Sequence, residues 1–132
     1  MKELVYPFDA PGIMKKKKSI KRRLLAAGSN RLEKKIAVLG GSTTSHIVDI
    51  LELFLLDYGI APKFYECEYA QFEQEALFPS EEFLNFHPDL IFIHTSSRNV
   101  RQFPELTDGK EQVEEKLKAE TERFRTIWEK LT

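Results

Sequence analysis

Apolar positions recur along this chain with three different periods. Ile13, Ile20, Leu24 and Leu25 form a thin apolar stripe through a lysine-rich stretch, which predicts a helix over 13–27. Gly28-Ser29-Asn30 is its stop signal. Residues 1–11, with Tyr6, Pro7, Phe8 and Pro11, read as an extended lead whose two aromatics dock on the body. The pattern then changes. Ile36-Ala37-Val38-Leu39 is a short continuous apolar run ended by two glycines, the signature of a buried strand over 35–39. From Thr44 to Tyr58 few polar gaps remain, so the helix expected there is buried on more than one side, with Asp49, Glu52 and Asp57 at its wet edge. Gly59 ends it.

A second strand over 63–67 is mixed in polarity and suits a sheet edge. Residues 69–77 are weakly helical, with Tyr69, Phe72, Ala76 and Leu77 as the inner face, and Ser80 caps a short turn over 81–86. His87-Pro88-Asp89 leads into a third strand over 90–94 that is apolar on both faces, as in the interior of a parallel sheet. Asp108 and Glu111 stand at capping-box spacing ahead of a last helix. Its stripe is Val113, Leu117, Phe124, Trp128 and Leu131, with Ile127 beside them, and it is expected to pack on the sheet.

Helices alternating with strands imply an α/β fold: three layers, α/β/α, around a short parallel sheet in the order 2-1-3. Right-handed crossovers put the loops after strands one and three side by side at the carboxyl end of the sheet. Three strands are few for such a sheet, so further strands are expected from a longer parent chain or from a homodimer. The division expected is a basic extension with a helix over 1–33 and the α/β domain over 34–132.

The 132 residues, 42% of them hydrophobic, suit one globular domain with a real core. No apolar run approaches the ~20 residues of a membrane span, and the start has no signal-peptide apolar region. Cys67 is the only cysteine, so no internal disulfide forms and a cytoplasmic location is expected. The net charge of −1 hides an asymmetry. Residues 1–35 hold eleven Lys/Arg against three Asp/Glu, and the remainder holds nine against eighteen. A basic arm on an acidic body implies intramolecular attraction or an acidic partner. Nucleic acid is not expected, because the body repels phosphates.

The candidate chemistry lies where the first strand ends. Gly40 and Gly41 let the backbone turn tightly, and Ser42, Thr43 and Thr44 follow at the start of the next helix. Ser42 has two readings, a nucleophile beside glycine amides or, like Thr44, a helix cap. A nucleophile needs a base, and the candidates are His46, one helical turn on, and His94, at the end of the third strand. Ser96, Arg98 and Asn99 lie in the loop that follows, where Arg98 and Arg101 suit a phosphate or carboxylate. The loop is not a P-loop, for it lacks the lysine, and it is not Gly-x-Ser-x-Gly. One cysteine and three scattered histidines give no zinc spacing.

Three segments in order, Lys35-Ile36-Ala37-Val38-Leu39-Gly40-Gly41-Ser42-Thr43-Thr44, Tyr69-Ala70-Gln71-Phe72-Glu73-Gln74-Glu75 and Phe86-His87-Pro88-Asp89-Leu90-Ile91-Phe92-Ile93, resemble the N-terminal domain of FkbH-like proteins. The lead Tyr6-Pro7-Phe8 and the run Lys15 to Lys21 are similar to the start of bacterial members. The resemblance implies an SGNH-hydrolase-like fold joined, in the parent chain, to a haloacid-dehalogenase-type phosphatase domain of subfamily IIIC. It also implies a role in polyketide or surface-polysaccharide pathways, where a glyceryl or other acyl group is moved onto a carrier protein. Mg is implied only for the separate phosphatase domain, and no cofactor for this chain.

By the same resemblance Ser42 matches the nucleophilic serine and Asn99 the asparagine of a later block. Gly41 stands where the family has aspartate, and the Asp-x-x-His block has no match after Thr107. A domain that binds an acyl substrate or acyl carrier protein is therefore expected first. The alternatives are a free-standing serine esterase using Ser42 with His94 or His46, and a non-catalytic module docking an acidic carrier on Lys15–Arg23.

Overall fold

In the computed structural model, which describes residues 1–28 and 30–132, five α-helices surround a three-stranded parallel sheet. The helix stop expected at 28–30 includes Ser29, which lies outside the described residues. In chain order the elements are α1 (Ala10–Ala26), β1 (Leu32–Gly40), α2 (Ser45–Asp57), β2 (Ile60–Glu66), α3 (Phe72–Leu77), α4 (Glu81–Phe86), β3 (Leu90–His94) and α5 (Lys110–Leu131). The sheet order is β2-β1-β3, with Ile36 of β1 beside Phe64 on one side and Leu90 on the other. Crossover through α2 on one face and through α3 and α4 on the other gives the 2-1-3 order that the alternation of elements requires.

The period-two geometry of β1 builds the core on both sides at once. Ile36 and Val38 meet Val48 of α2, with Leu55 and Phe64 beside them. Ala37 and Leu39 face the other way, onto Phe72, Ala76, Phe83 and Ile127. A third cluster forms behind α2, where Ile13, Ile20 and Leu24 of α1 pack with Leu53 and Leu56. Thus α2 lies between the sheet and α1, which explains why its sequence leaves so few polar gaps. The charge asymmetry is partly spent at the same contact: Lys17 pairs with Asp49, Lys21 with Glu52, and the Met1 ammonium with Asp57.

Several expectations are corrected. The lead is not extended throughout, for Lys2–Leu4 form a 3-10 turn and α1 starts early, at Ala10. The Asp9 carboxylate accepts the Gly12 N–H (3.1 Å), and Pro11 fits a first turn that needs no N–H donor there. Phe8 does dock, edge-on to Phe54 at 5.4 Å. Strand β2 starts three residues early and includes Pro62, which an edge position tolerates because one face of its ladder has no neighbour. Strand β3, apolar on both faces like an interior strand, stands at the edge that the 2-1-3 order gives it, with Leu90 and Phe92 half exposed.

Tyr69 lies outside α3 and is exposed. Gly109, not Asp108, precedes α5: the Gln112 side chain accepts its N–H, while Asp108 accepts the Glu105 N–H and pairs with Lys116. Along α5, Ile127 is buried but Leu117 and Trp128 are exposed; Glu120 is buried instead.

Candidate functional site

The strand order brings the ends of β1 and β3 together, and Gly41 is where they join. Its N–H donates to the His94 carbonyl (2.8 Å), and the Asn99 amide donates to its carbonyl (3.0 Å). The Asn99 side-chain oxygen accepts the Ser96 N–H (2.9 Å), which fixes the amide's orientation. Ser97–Asn99 form a 3-10 turn, with the Ser96 hydroxyl accepting the Arg98 N–H (3.3 Å). A Cβ on Gly41 would lie 2.3 Å from the Asn99 amide, so the clamp closes only around a glycine. This is the physical reason for the second glycine of the pair.

Side chains of α5 and α3 hold the clamp from behind. Arg123 of α5 donates to the Asn99 carbonyl (3.0 Å), and by two parallel bonds (3.0 and 2.9 Å) to Glu73 of α3. It also pairs with Glu120 (3.0 Å), whose other oxygen accepts the Gln102 N–H. Arg101, expected to suit an anion, pairs with Glu73 as well. The Arg123 guanidinium holds the Glu73 carboxyl below its ordinary range, first through the hydrogen bonds and then through charge. Arg123 escaped the sequence reading, though a signal was present: it lies between Glu120 and Ile127 at helical spacing, on the arc that carries the apolar stripe.

On the other side of Gly41 the contacts are of a different kind. The Gly40 N–H points at the Cys67 sulfur (3.3 Å), and burial pushes the Cys67 thiol up. Thr44 stands at the N-cap of α2 without capping it; its buried hydroxyl donates to Glu66 at the end of β2 (2.9 Å). The cap expected of Ser42 or Thr44 is therefore not made. Ser42 is half-buried in the turn, and Thr43 and His46 are exposed. Among the described residues neither His46 nor His94 hydrogen-bonds to Ser42. The His94 Nδ1 is buried without a partner, with its ring tilted against Phe92. Arg98 is exposed on the 3-10 turn.

The structure thus brings Gly41, His94, Ser96 and Asn99 into one bonded cluster, which Arg98 joins through its backbone N–H alone, and leaves His46 outside it. Among the described residues no group of three His, Cys, Asp or Glu is arranged to hold a metal ion, and no helix is long and apolar enough to cross a membrane.

The class defined by this geometry is a small α/β domain with its candidate site at the carboxyl end of a parallel sheet. No family model and no curated protein matches the chain. Among solved structures it is similar to the N-terminal part of the protein BF1531 from Bacteroides fragilis, described as containing a phosphatase domain and complexed with Mg. The sequence identity is 20% and the TM-score 0.66. The match covers 88% of this chain and 30% of that one, and at this identity it is a likeness of fold.

Proposed function

We propose that this chain is an accessory α/β module working beside a haloacid-dehalogenase-type phosphatase domain. In this reading it holds an acyl group of the glyceryl kind, free or on an acyl carrier protein, at the Gly41–Ser42 turn. The observation that carries the proposal is the clamp of Asn99 on Gly41, which fixes the residue before Ser42 between two loops. The fold likeness to the N-terminal part of a phosphatase-domain protein supports the accessory role. The exposed lysines of α1 suit an acidic carrier.

Binding is favoured over hydrolysis by the state of the glycine amides. An esterase needs free N–H donors for the oxyanion, whereas the Gly41 N–H is given to His94 and the Gly40 N–H to Cys67. The test is calorimetric titration of the chain with glyceryl-loaded and unloaded acyl carrier protein. The loaded carrier binds more tightly, and Ser42→Ala removes that difference while p-nitrophenyl acetate turnover stays at background for both proteins. Equal affinity for the two carriers overturns the proposal. Turnover of the ester that Ser42→Ala abolishes transfers the chain to the esterase class.

A further inference from the structure

The two edges of the sheet are built differently. Strand β2 carries Pro62, Lys63 and Glu66, and Lys63 pairs with Glu33 of β1. Proline and charge are the usual guards of an open edge, because they spoil its pairing with another chain. Strand β3, Leu90-Ile91-Phe92-Ile93-His94, has no proline and no acid, lysine or arginine. Among the described residues β1 is its one neighbour. The His94 carbonyl faces β1, where it takes the Gly41 N–H, so by alternation the backbone groups of Ile91 and Ile93 face outward.

A hollow flanks this edge on each face of the sheet. On the α2 face, Ile36, Ile47, Leu51 and Phe92 line one of about 560 Å³. On the α5 face, Ile91, Ile93, Trp128 and Leu131 line another of about 400 Å³. Leu90 and Trp128, one beside each hollow, are 56% and 55% exposed. An element that covers this edge must offer free backbone groups in the middle and apolar groups above and below. A helix satisfies its own backbone and would leave Ile91 and Ile93 without partners.

We propose that the β3 edge pairs with the β3 edge of a second copy of this chain, antiparallel, joining two three-stranded sheets into one. Copies related by a two-fold axis present the same surface to each other, and a strand that meets itself runs antiparallel. An axis at Phe92 overlaps the whole of β3, and any other shortens the ladder. Ile91 then opposes Ile93 of the second copy and exchanges both hydrogen bonds with it, while Leu90 opposes His94. The two Phe92 side chains meet across the axis as a close non-hydrogen-bonded pair. The axis stands perpendicular to the sheet, so each hollow adjoins its own counterpart and one strand pairing covers both faces. Charge raises no obstacle. Asp89 lies opposite Thr95, at the start of a loop whose first charge is Arg98, and the two Asp89 residues stand about 20 Å apart along the strands. A lone strand of another protein would satisfy the same backbone but bring no helices to the hollows.

Sedimentation equilibrium of the 132-residue chain tests this, with a dimer of micromolar or tighter Kd expected. Phe92→Lys sets two ammonium groups face to face across the axis, and Leu90→Lys gives the edge the charge that guards other edges. Each variant returns the monomer, with circular dichroism checking the fold. In a Cys67→Ser background, oxidised glutathione cross-links Phe92→Cys to its own copy. Leu90→Cys, whose copies lie about 14 Å apart, stays uncross-linked. A chain that remains monomeric at millimolar concentration overturns the proposal and leaves the edge to a strand of different sequence. A dimer that either folded lysine variant preserves overturns it too, as does cross-linking of Leu90→Cys as efficient as that of Phe92→Cys.

Discussion

Replacing Arg123 with methionine keeps an unbranched apolar stem but removes the guanidinium and its four hydrogen bonds: two to Glu73, one to Glu120 and one to the Asn99 carbonyl. The side chains of Arg123, Glu73 and Glu120 are 15%, 15% and 10% exposed, so the loss leaves two largely buried carboxylates without their cation. Breaking such a pair from one side costs about 3–5 kcal/mol. Arg101 still reaches Glu73, which puts the expectation at the low end, about 3 kcal/mol. For a domain of this size that lowers the melting temperature by about 10 °C.

Urea denaturation followed by circular dichroism measures the loss. The cycle of Arg123→Met, Glu73→Gln and the double variant then isolates the pair, with a coupling of at least about 1 kcal/mol expected. A loss below about 1 kcal/mol with no coupling would refute the view that Arg123 ties α3, α5 and the loop after β3 together.

Gly41→Ala should destabilise by about 1–3 kcal/mol, because the new methyl meets the Asn99 amide, and Asn99→Ala in the same chain should restore part of it. A Gly41→Ala protein as stable as the parent, in the same denaturation assay, contradicts the clamp. Glu73 has a depressed carboxyl in the folded chain and an ordinary value, 4.5, in the unfolded one. Its contribution is therefore full above that ordinary value and is lost as pH falls through the depressed one. Melting temperatures from pH 7 to pH 3 should fall more steeply for the parent than for Glu73→Gln, and parallel curves would remove Glu73 from the account.

The apolar run at 36–39 and its two glycines were enough to find β1, and crossover handedness was enough to bring the loops after β1 and β3 together. Both rest on short-range pattern and general chirality. The rest depends on long-range pairing. Glu73 and Arg123 are fifty residues apart and share no periodic signal, so their bond was not legible. Glu120 occupies a buried place on α5 because the Gln102 N–H and Arg123 satisfy it, whereas hydrophobicity alone puts Leu117 there. Strand β3 reads as an interior strand from its composition, yet stands at the edge with Leu90 and Phe92 half exposed. Thr44 looks like a cap because its type and place are right, but Glu66 at the end of β2 takes its hydroxyl.

Backbone amide NMR of the 15N-labelled chain, titrated with a glyceryl N-acetylcysteamine thioester, probes the joined loops most directly. The account expects the amides of Gly41 to Thr44 and of Ser96 to Asn99 to shift together along one saturation curve, and Asn99→Ala to uncouple the two groups. Shifts confined to another surface, or none at millimolar thioester, would contradict it.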